Sequence, residues 1–222
     1  MKVINPFLRS AAYKKLSLLF AYPETEDFLR QLQKNQREVK DIFTELAVEY
    51  DIMLDDDINS LTSCFNDLAL QDMQVEYVRL FDYKPRCFIM ESAYIYRRDN
   101  VSDPEVAASF RDEVEEFYAE FGLETGCWFK QPPDHLLVEL EFMHYLTHQE
   151  GVCIEAESDD VRRYLEGEKR FLCEHLLKWA VGFCDCLQNN TRLSFYASLA
   201  VITKSILLQD LLYLQKIEEV LV

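Results

Sequence analysis

Gln131-Pro132-Pro133-Asp134-His135-Leu136-Leu137-Val138-Glu139-Leu140 combines a stiff approach with a helix start. The two prolines fix φ and hold the chain extended. Asp134 follows, placed as an N-cap whose carboxylate accepts from the free amides of a first helical turn, where the helix dipole favours negative charge. The helix expected from this start spans Asp134 to Gln149, with Leu136, Leu140 and Met143 turned to the core and Gly151 as its stop. His135 stands at the rim. Glu139 lies four residues on and shares its face, where it can hold the imidazole or raise its pKa. The spacing suits a capped helix with a surface His–Glu pair as well as a helix start that faces a ligand.

Helical signals continue on both sides. Upstream, Pro6–Ala21 reads as a helix stopped before Pro23, and Glu24 to about Leu54 as another, with a polar middle that can bend. Asp57–Leu70 and Gln71–Phe81 follow. Tyr83–Asn100, with Pro85, reads as a structured loop or hinge containing at most a short helical turn. Ser102-Asp103-Pro104-Glu105 is a capping-box start for a helix ended by Gly122. Downstream, Asp159 to about Leu187 and Thr191 to about Leu221 complete roughly eight helices; the last is apolar nearly all round and therefore central. Five glycines and six prolines leave few tight turns for a sheet. The expectation is an all-α, single-domain bundle over residues 1–222, with a hinge near 83–103.

Composition narrows the function classes. With 23 basic and 40 acidic residues, the net charge is −17. Such a surface repels nucleic-acid phosphates and anionic membranes, and attracts a basic partner. The apolar tract Leu193–Leu214 is interrupted by Lys204, Gln209 and Asp210, which predicts a buried helix and no stable membrane insertion. Seven dispersed cysteines without a C-x-x-C pair read as free thiols in a reducing compartment, and no secretory signal is visible, so the expected location is the cytoplasm. No phosphate-binding glycine loop is present, so a nucleotide enzyme is set aside. His144 and His148 have a zinc-compatible spacing, with Cys153 as a third ligand, but the run lacks the glutamate of H-E-x-x-H. Cys184 and Cys186 diverge on a helix. No metal, cofactor or catalytic residue is expected.

Gln-Pro-x-Asp-His-x-x-x-Glu-Leu, continuing into Glu141-Phe142-Met143, resembles the signature of the TorD/DmsD/NarJ family of molybdoenzyme-maturation chaperones. Glu76-Tyr77-x-x-Leu80-Phe81 and the later Glu91-Ser92-x-Tyr94 are similar to a second family segment. In that segment the family often has a Pro-Pro-aromatic run before Glu-Ser and a glycine after Leu-Phe. This chain has Pro85-Arg86-Cys87-Phe88-Ile89-Met90 and no such glycine.

The resemblance implies an all-α, TorD-like chaperone with no enzymatic activity. Its partner would be the apo-form of a molybdopterin oxidoreductase, including the twin-arginine signal peptide, whose export is held back until the cofactor is in. On this reading Asp134, Glu139 and Glu91 pair with leader arginines, and His135 lies at the same site. Tyr77, Phe81, Phe88, Tyr94 and Trp128 are candidate groove walls. Replacing Asp134 and His135 with alanine is expected to weaken leader binding with little loss in melting temperature. The protein is expected as a monomer or a domain-swapped dimer. The alternative is a helical adaptor of another family with an acidic peptide-binding groove.

Overall fold

The computed structural model describes residues 3–99, 104–124 and 131–221, with 104, 106, 107 and 218–221 as backbone only. The helices are α1 (Pro6–Leu19), α2 (Glu26–Lys34), α3 (Gln36–Tyr50), α4 (Asp55–Cys64), α5 (Leu70–Tyr77), α6 (Glu91–Arg98), α7 (Pro104–Glu120), α8 (Leu136–Glu155), α9 (Val161–Phe171), α10 (Leu177–Asn190) and α11 (Ser194–Leu221). A π turn, Val78–Asp82, extends α5, and a second, Leu172–Leu176, fuses α9 and α10 into one rod. Among the described residues the fold is all-α, with a single isolated antiparallel bridge between Met90 and His135.

The described helices form two more rods than the sequence suggests, for identifiable reasons. The long 24–54 helix is cut at Asn35, which leaves helical geometry at φ −95°, ψ 6° and serves as both the end of α2 and the start of α3. The stretch read as a loop also contains the two-turn helix α6. Helix α3 ends on Asp51 in the left-handed region, with Ile52 N–H bonded back to Ala47 O, a hydrogen-bonded stop that asparagine and aspartate tolerate better than most residues. Gly122 closes α7 at φ 74°, as expected. Gly151 does not close α8, which runs through it to Glu155. A Cβ there would sit 2.7 Å from the Phe7 ring, so the glycine admits α1 against α8. The Ser102 cap and Trp128 lie outside the described residues.

Helices α1 and α8 pack side by side, α9 packs on α8, and α11 lies between α4 and α10. One continuous apolar core runs from Ile4 to Ile217. Ser194–Ile217 has the length and hydropathy of a membrane span, yet 56% of its most apolar window is buried in the bundle; Phe195, Tyr196, Leu199, Ile202 and Leu207 are fully buried there. Arg9 pins these layers together. Its guanidinium donates to Asp210 at 2.6 and 2.9 Å and to Glu150 at 2.7 Å, and also pairs with Glu168, all in the interior. Tyr13 O–H donates to Asp210 at 2.6 Å, and Tyr50 O–H also donates to it. Three carboxyls around one cation carry excess negative charge. Burial therefore raises the pKa of Glu168 well above the usual carboxylate range, although Arg9 opposes the shift.

Candidate functional site

The π turn after α5 widens the helix just where the chain must leave it. Leu80 O accepts from both Arg86 N–H (3.0 Å) and Cys87 N–H (2.9 Å), which folds residues 83–90 back against the turn. The returning strand-like segment then meets the proline-stiffened approach to α8. Leu136 N–H donates to Ile89 O at 3.0 Å and Glu91 N–H to Asp134 O at 2.9 Å, on either side of the Met90–His135 bridge. The two stretches singled out in the sequence, around 76–94 and 131–143, are thus stitched together by backbone bonds.

Their side chains form two layers. The outer layer is an open cavity of about 440 Å³ lined by Tyr22, Glu24, Tyr77, Val78, Phe81, Asp82, Ile89, Met90, Gln131 and His135. One wall is an aromatic ladder. Tyr22 meets Tyr77 edge-on at 5.1 Å, Tyr77 meets Phe81 at 4.9 Å, and Phe81 reaches Phe183 at 5.9 Å between ring centroids. Tyr77 and Phe81 are therefore both core and wall. Burial pushes the Tyr77 hydroxyl up to about 12, so it is a neutral hydrogen-bonding group.

The inner layer is acidic. Glu91, Asp134 and Glu139 are each 0% exposed. Asp134 Oδ2 accepts from Ser92 N–H at 3.0 Å, Glu91 Oε2 meets His175 Nδ1 at 3.0 Å, and Glu139 Oε2 accepts from Trp179 Nε1–H at 3.1 Å. The other oxygen of each carboxyl (Glu91 Oε1, Asp134 Oδ1, Glu139 Oε1) has no other partner. Burial first, then repulsion from Glu91 and Asp134, raises Glu139 well above the ordinary carboxylate range. A protonated Glu139 gains an O–H donor where acceptors are in excess. Tyr118 caps the layer from α7, its O–H donating to Pro133 O at 2.8 Å.

These positions correct several expectations. Asp134 is not the N-cap of α8; it caps α6 across the fold through Ser92. His135 is the N-cap, with Nδ1 accepting from Leu137 N–H at 3.2 Å. That contact places the proton of the neutral ring on Nε2. His135 gains no carboxylate partner from Glu139, which turns inward to Trp179, and burial pushes the imidazole down to about 4. Glu91, Asp134 and Glu139 offer no exposed oxygen to a leader arginine, because they support the cavity floor from inside. Since Asp134 is wholly buried and hydrogen-bonded, its replacement by alanine must also cost stability. Tyr94 packs on Trp179 and approaches Gly182, away from the cavity. Phe88 is half-buried beside the cavity-lining Ile89 and is not itself a wall. Sequence reasoning missed Tyr22, Glu24 and Asp82 on the rim and His175 and Trp179 beneath. The last two come from the fused α9–α10 rod, far along the chain.

The histidine pair on α8 has another role. His144 Nδ1 contacts Ser10 Oγ at 2.7 Å and His148 packs against the Phe7 ring. Among the described residues no cluster of three metal-ligating side chains occurs.

Residues 49–185 match the model of the nitrate reductase delta subunit family. The chain belongs to this family. Its members include the TorD/DmsD/NarJ molybdoenzyme-maturation chaperones that the sequence resembles. The chain is 26% identical over 212 residues to the chaperone protein TorD of Shewanella sp. (strain ANA-3), covering 91% of each chain. It is 37% identical over 67 residues to a perchlorate reductase assembly chaperone of Dechloromonas aromatica, 30% of each chain. In fold it is similar to a protein of Archaeoglobus fulgidus described as a redox enzyme maturation protein, with a TM-score of 0.52 and 18% identity over 93% of this chain and 95% of the other. The family match spans the π turn, the returning loop, the proline-stiffened start of α8 and most of α10, so it contains both layers of the site except Tyr22 and Glu24.

Proposed function

We propose that this family member is a cytoplasmic, system-specific chaperone. It binds the twin-arginine leader, or another part of the apo-form, of a molybdopterin oxidoreductase and delays export until the cofactor is inserted. It works by binding, without catalysis. The observation that carries this reading is the 440 Å³ cavity, whose lining brings together an aromatic ladder and the exposed carboxylate of Asp82. A guanidinium is well served by that pairing, since it stacks on aromatic faces and bonds carboxylates in a planar fork. The apolar run that follows the arginines in such a leader suits the walls formed by Val78, Phe81, Ile89 and Met90. The net charge of −17 adds long-range attraction for a basic segment.

The buried layer has a supporting task in this reading. It ties the start of α8 and α6 to each other and to the α9–α10 rod with hydrogen bonds, so the cavity exists before the client arrives and little ordering cost falls on binding.

Fluorescence titration of the full chain tests the proposal, using labelled leader peptides from molybdopterin oxidoreductases of the same genome. One leader should bind, and changing its two arginines to glutamine should weaken binding at least tenfold. Equal affinity for both peptides would refute arginine recognition. Binding of unrelated acidic or neutral helices with equal strength would favour a general helical adaptor.

A further inference from the structure

The helix spacing of Cys184 and Cys186 sends the two thiols apart. Cys184 enters the core, while Cys186 meets Cys87 from the returning loop, with the sulfurs 2.8 Å apart. The two residues are 99 positions apart in the chain. Cys87 is 1% exposed and Cys186 is half-buried, so an oxidant from solvent reaches Cys186 first. As a thiol Cys186 donates to Arg86 O at 3.3 Å, and it also faces two possible donors. Asn190 Nδ2 donates toward Cys186 Sγ at 3.6 Å, and the S–H of Cys87 can donate as well. Donation from Cys87, aided by Asn190, holds Cys186 down to about 7, whereas Cys87 is driven up by its bond to Cys186 and by burial. The more accessible thiol is thus also the more acidic, beside a protected, less acidic one, the division of labour of an attacking and a resolving cysteine.

We propose that Cys87 and Cys186 form a reversible thiol-oxidation site that reacts with hydroperoxides and closes to a disulfide. The chemistry balances with hydrogen peroxide as oxidant. The Cys186 thiolate attacks one peroxide oxygen, the O–O bond breaks, and hydroxide leaves, giving a sulfenic acid. Cys87 sulfur then attacks Cys186 sulfur. The S–O bond breaks, and the departing hydroxyl takes the Cys87 proton as water. The two thiols lose two electrons to the peroxide, and a dithiol reductant restores them. Bringing the sulfurs to a bonded separation of about 2.05 Å requires a movement of under about 1 Å, so the fold needs no rearrangement. The bond would tie the loop carrying Ile89 and Met90 to α10. This inference does not depend on which client the cavity takes.

The test exposes the reduced full chain to about one equivalent of hydrogen peroxide, blocks remaining thiols by alkylation, and maps peptides without reduction. A cross-link between the Cys87 and Cys186 peptides is expected, two hydrogens lighter than the separate thiols and reversed by dithiothreitol. Closing a loop of this length should raise the melting temperature by roughly 10 °C. Under the same exposure Cys87→Ser should stop at a Cys186 sulfenic acid that dimedone captures. Recovery of both cysteines alkylated while the exposed Cys173 is oxidised would overturn the proposal. So would a disulfide that joins other cysteines, or a cross-linked protein that melts no higher than the reduced one.

Discussion

Replacing Glu139 with glutamine should leave the protein at least as stable at neutral pH and flatten the fall of its stability with pH. Glu139 is fully buried, and its proton is retained because burial and the neighbouring Glu91 and Asp134 disfavour the anion. The folded state therefore holds a proton that the unfolded chain releases above an ordinary carboxylate pKa of about 4.3. Above that pH the folded form binds more protons than the unfolded one, so this group's contribution is fully present in acid and declines as pH rises toward its folded pKa. The slope for one such proton is about 1.4 kcal/mol per pH unit. Glutamine keeps the shape and the acceptor for Trp179 Nε1–H, now 3.1 Å from Oε2, and has nothing to titrate. Urea melts of both proteins at pH 5, 6, 7 and 8, followed by circular dichroism, give the comparison. The difference curve should rise in favour of the variant by roughly one proton's slope over part of that range, with little difference at pH 5. A variant destabilised by more than about 2 kcal/mol at pH 7, the usual cost of a lost buried hydrogen bond, with an unchanged pH profile, would show that Glu139 is held as a charged acceptor.

Two further perturbations probe the frame. Arg9→Met leaves Asp210, Glu150 and Glu168 without their buried cation and should cost about 3–5 kcal/mol in chemical denaturation; a loss under about 1 kcal/mol would mean that the three carboxyls simply protonate at no net cost. His135 should remain neutral by NMR until the pH approaches about 4. Because its folded pKa lies below that of the unfolded chain, its share of stability is complete above about 6.5 and is lost as pH falls through that window. An imidazole titrating near 6.5 in the folded protein would place it on the surface.

Much of the fold is legible because helical periodicity, caps and breakers are local. The C-terminal ends of α1 and α7, the bend in the 24–54 stretch and the long helix expected from 159 to about 187, found as the rod Val161–Asn190, all follow from residues within one or two turns. The errors arose where a tertiary partner decided the outcome. Gly151 reads as a stop until Phe7 is seen against it. The 91–98 stretch forms a helix because Asp134, from a distant segment, caps it through Ser92. The two motif stretches meet in the fold, but the orientation of their side chains depends on facing elements. Three aspartate and glutamate residues that read as a charged rim turn inward because His175, Trp179 and Ser92 wait there. Asp82, an ordinary acid in the sequence, reaches the cavity through the π turn, and Glu24 through an α1–α2 connection whose Pro23 and Glu24 carbonyls accept from Gln74 of α5.

The rim carboxylate of Asp82 gives the most direct test of the central claim, that a basic leader docks in the aromatic and acidic cavity. The measurement is the dissociation constant of a bound twin-arginine leader for the Asp82→Asn variant, with its melting temperature recorded alongside. Asp82 is exposed, so the account predicts binding weakened by at least about tenfold, the worth of one lost charge-assisted contact of about 1.4 kcal/mol or more, and a melting temperature within about 2 °C of the parent. Unchanged affinity in that folded variant would contradict the account and place the client elsewhere.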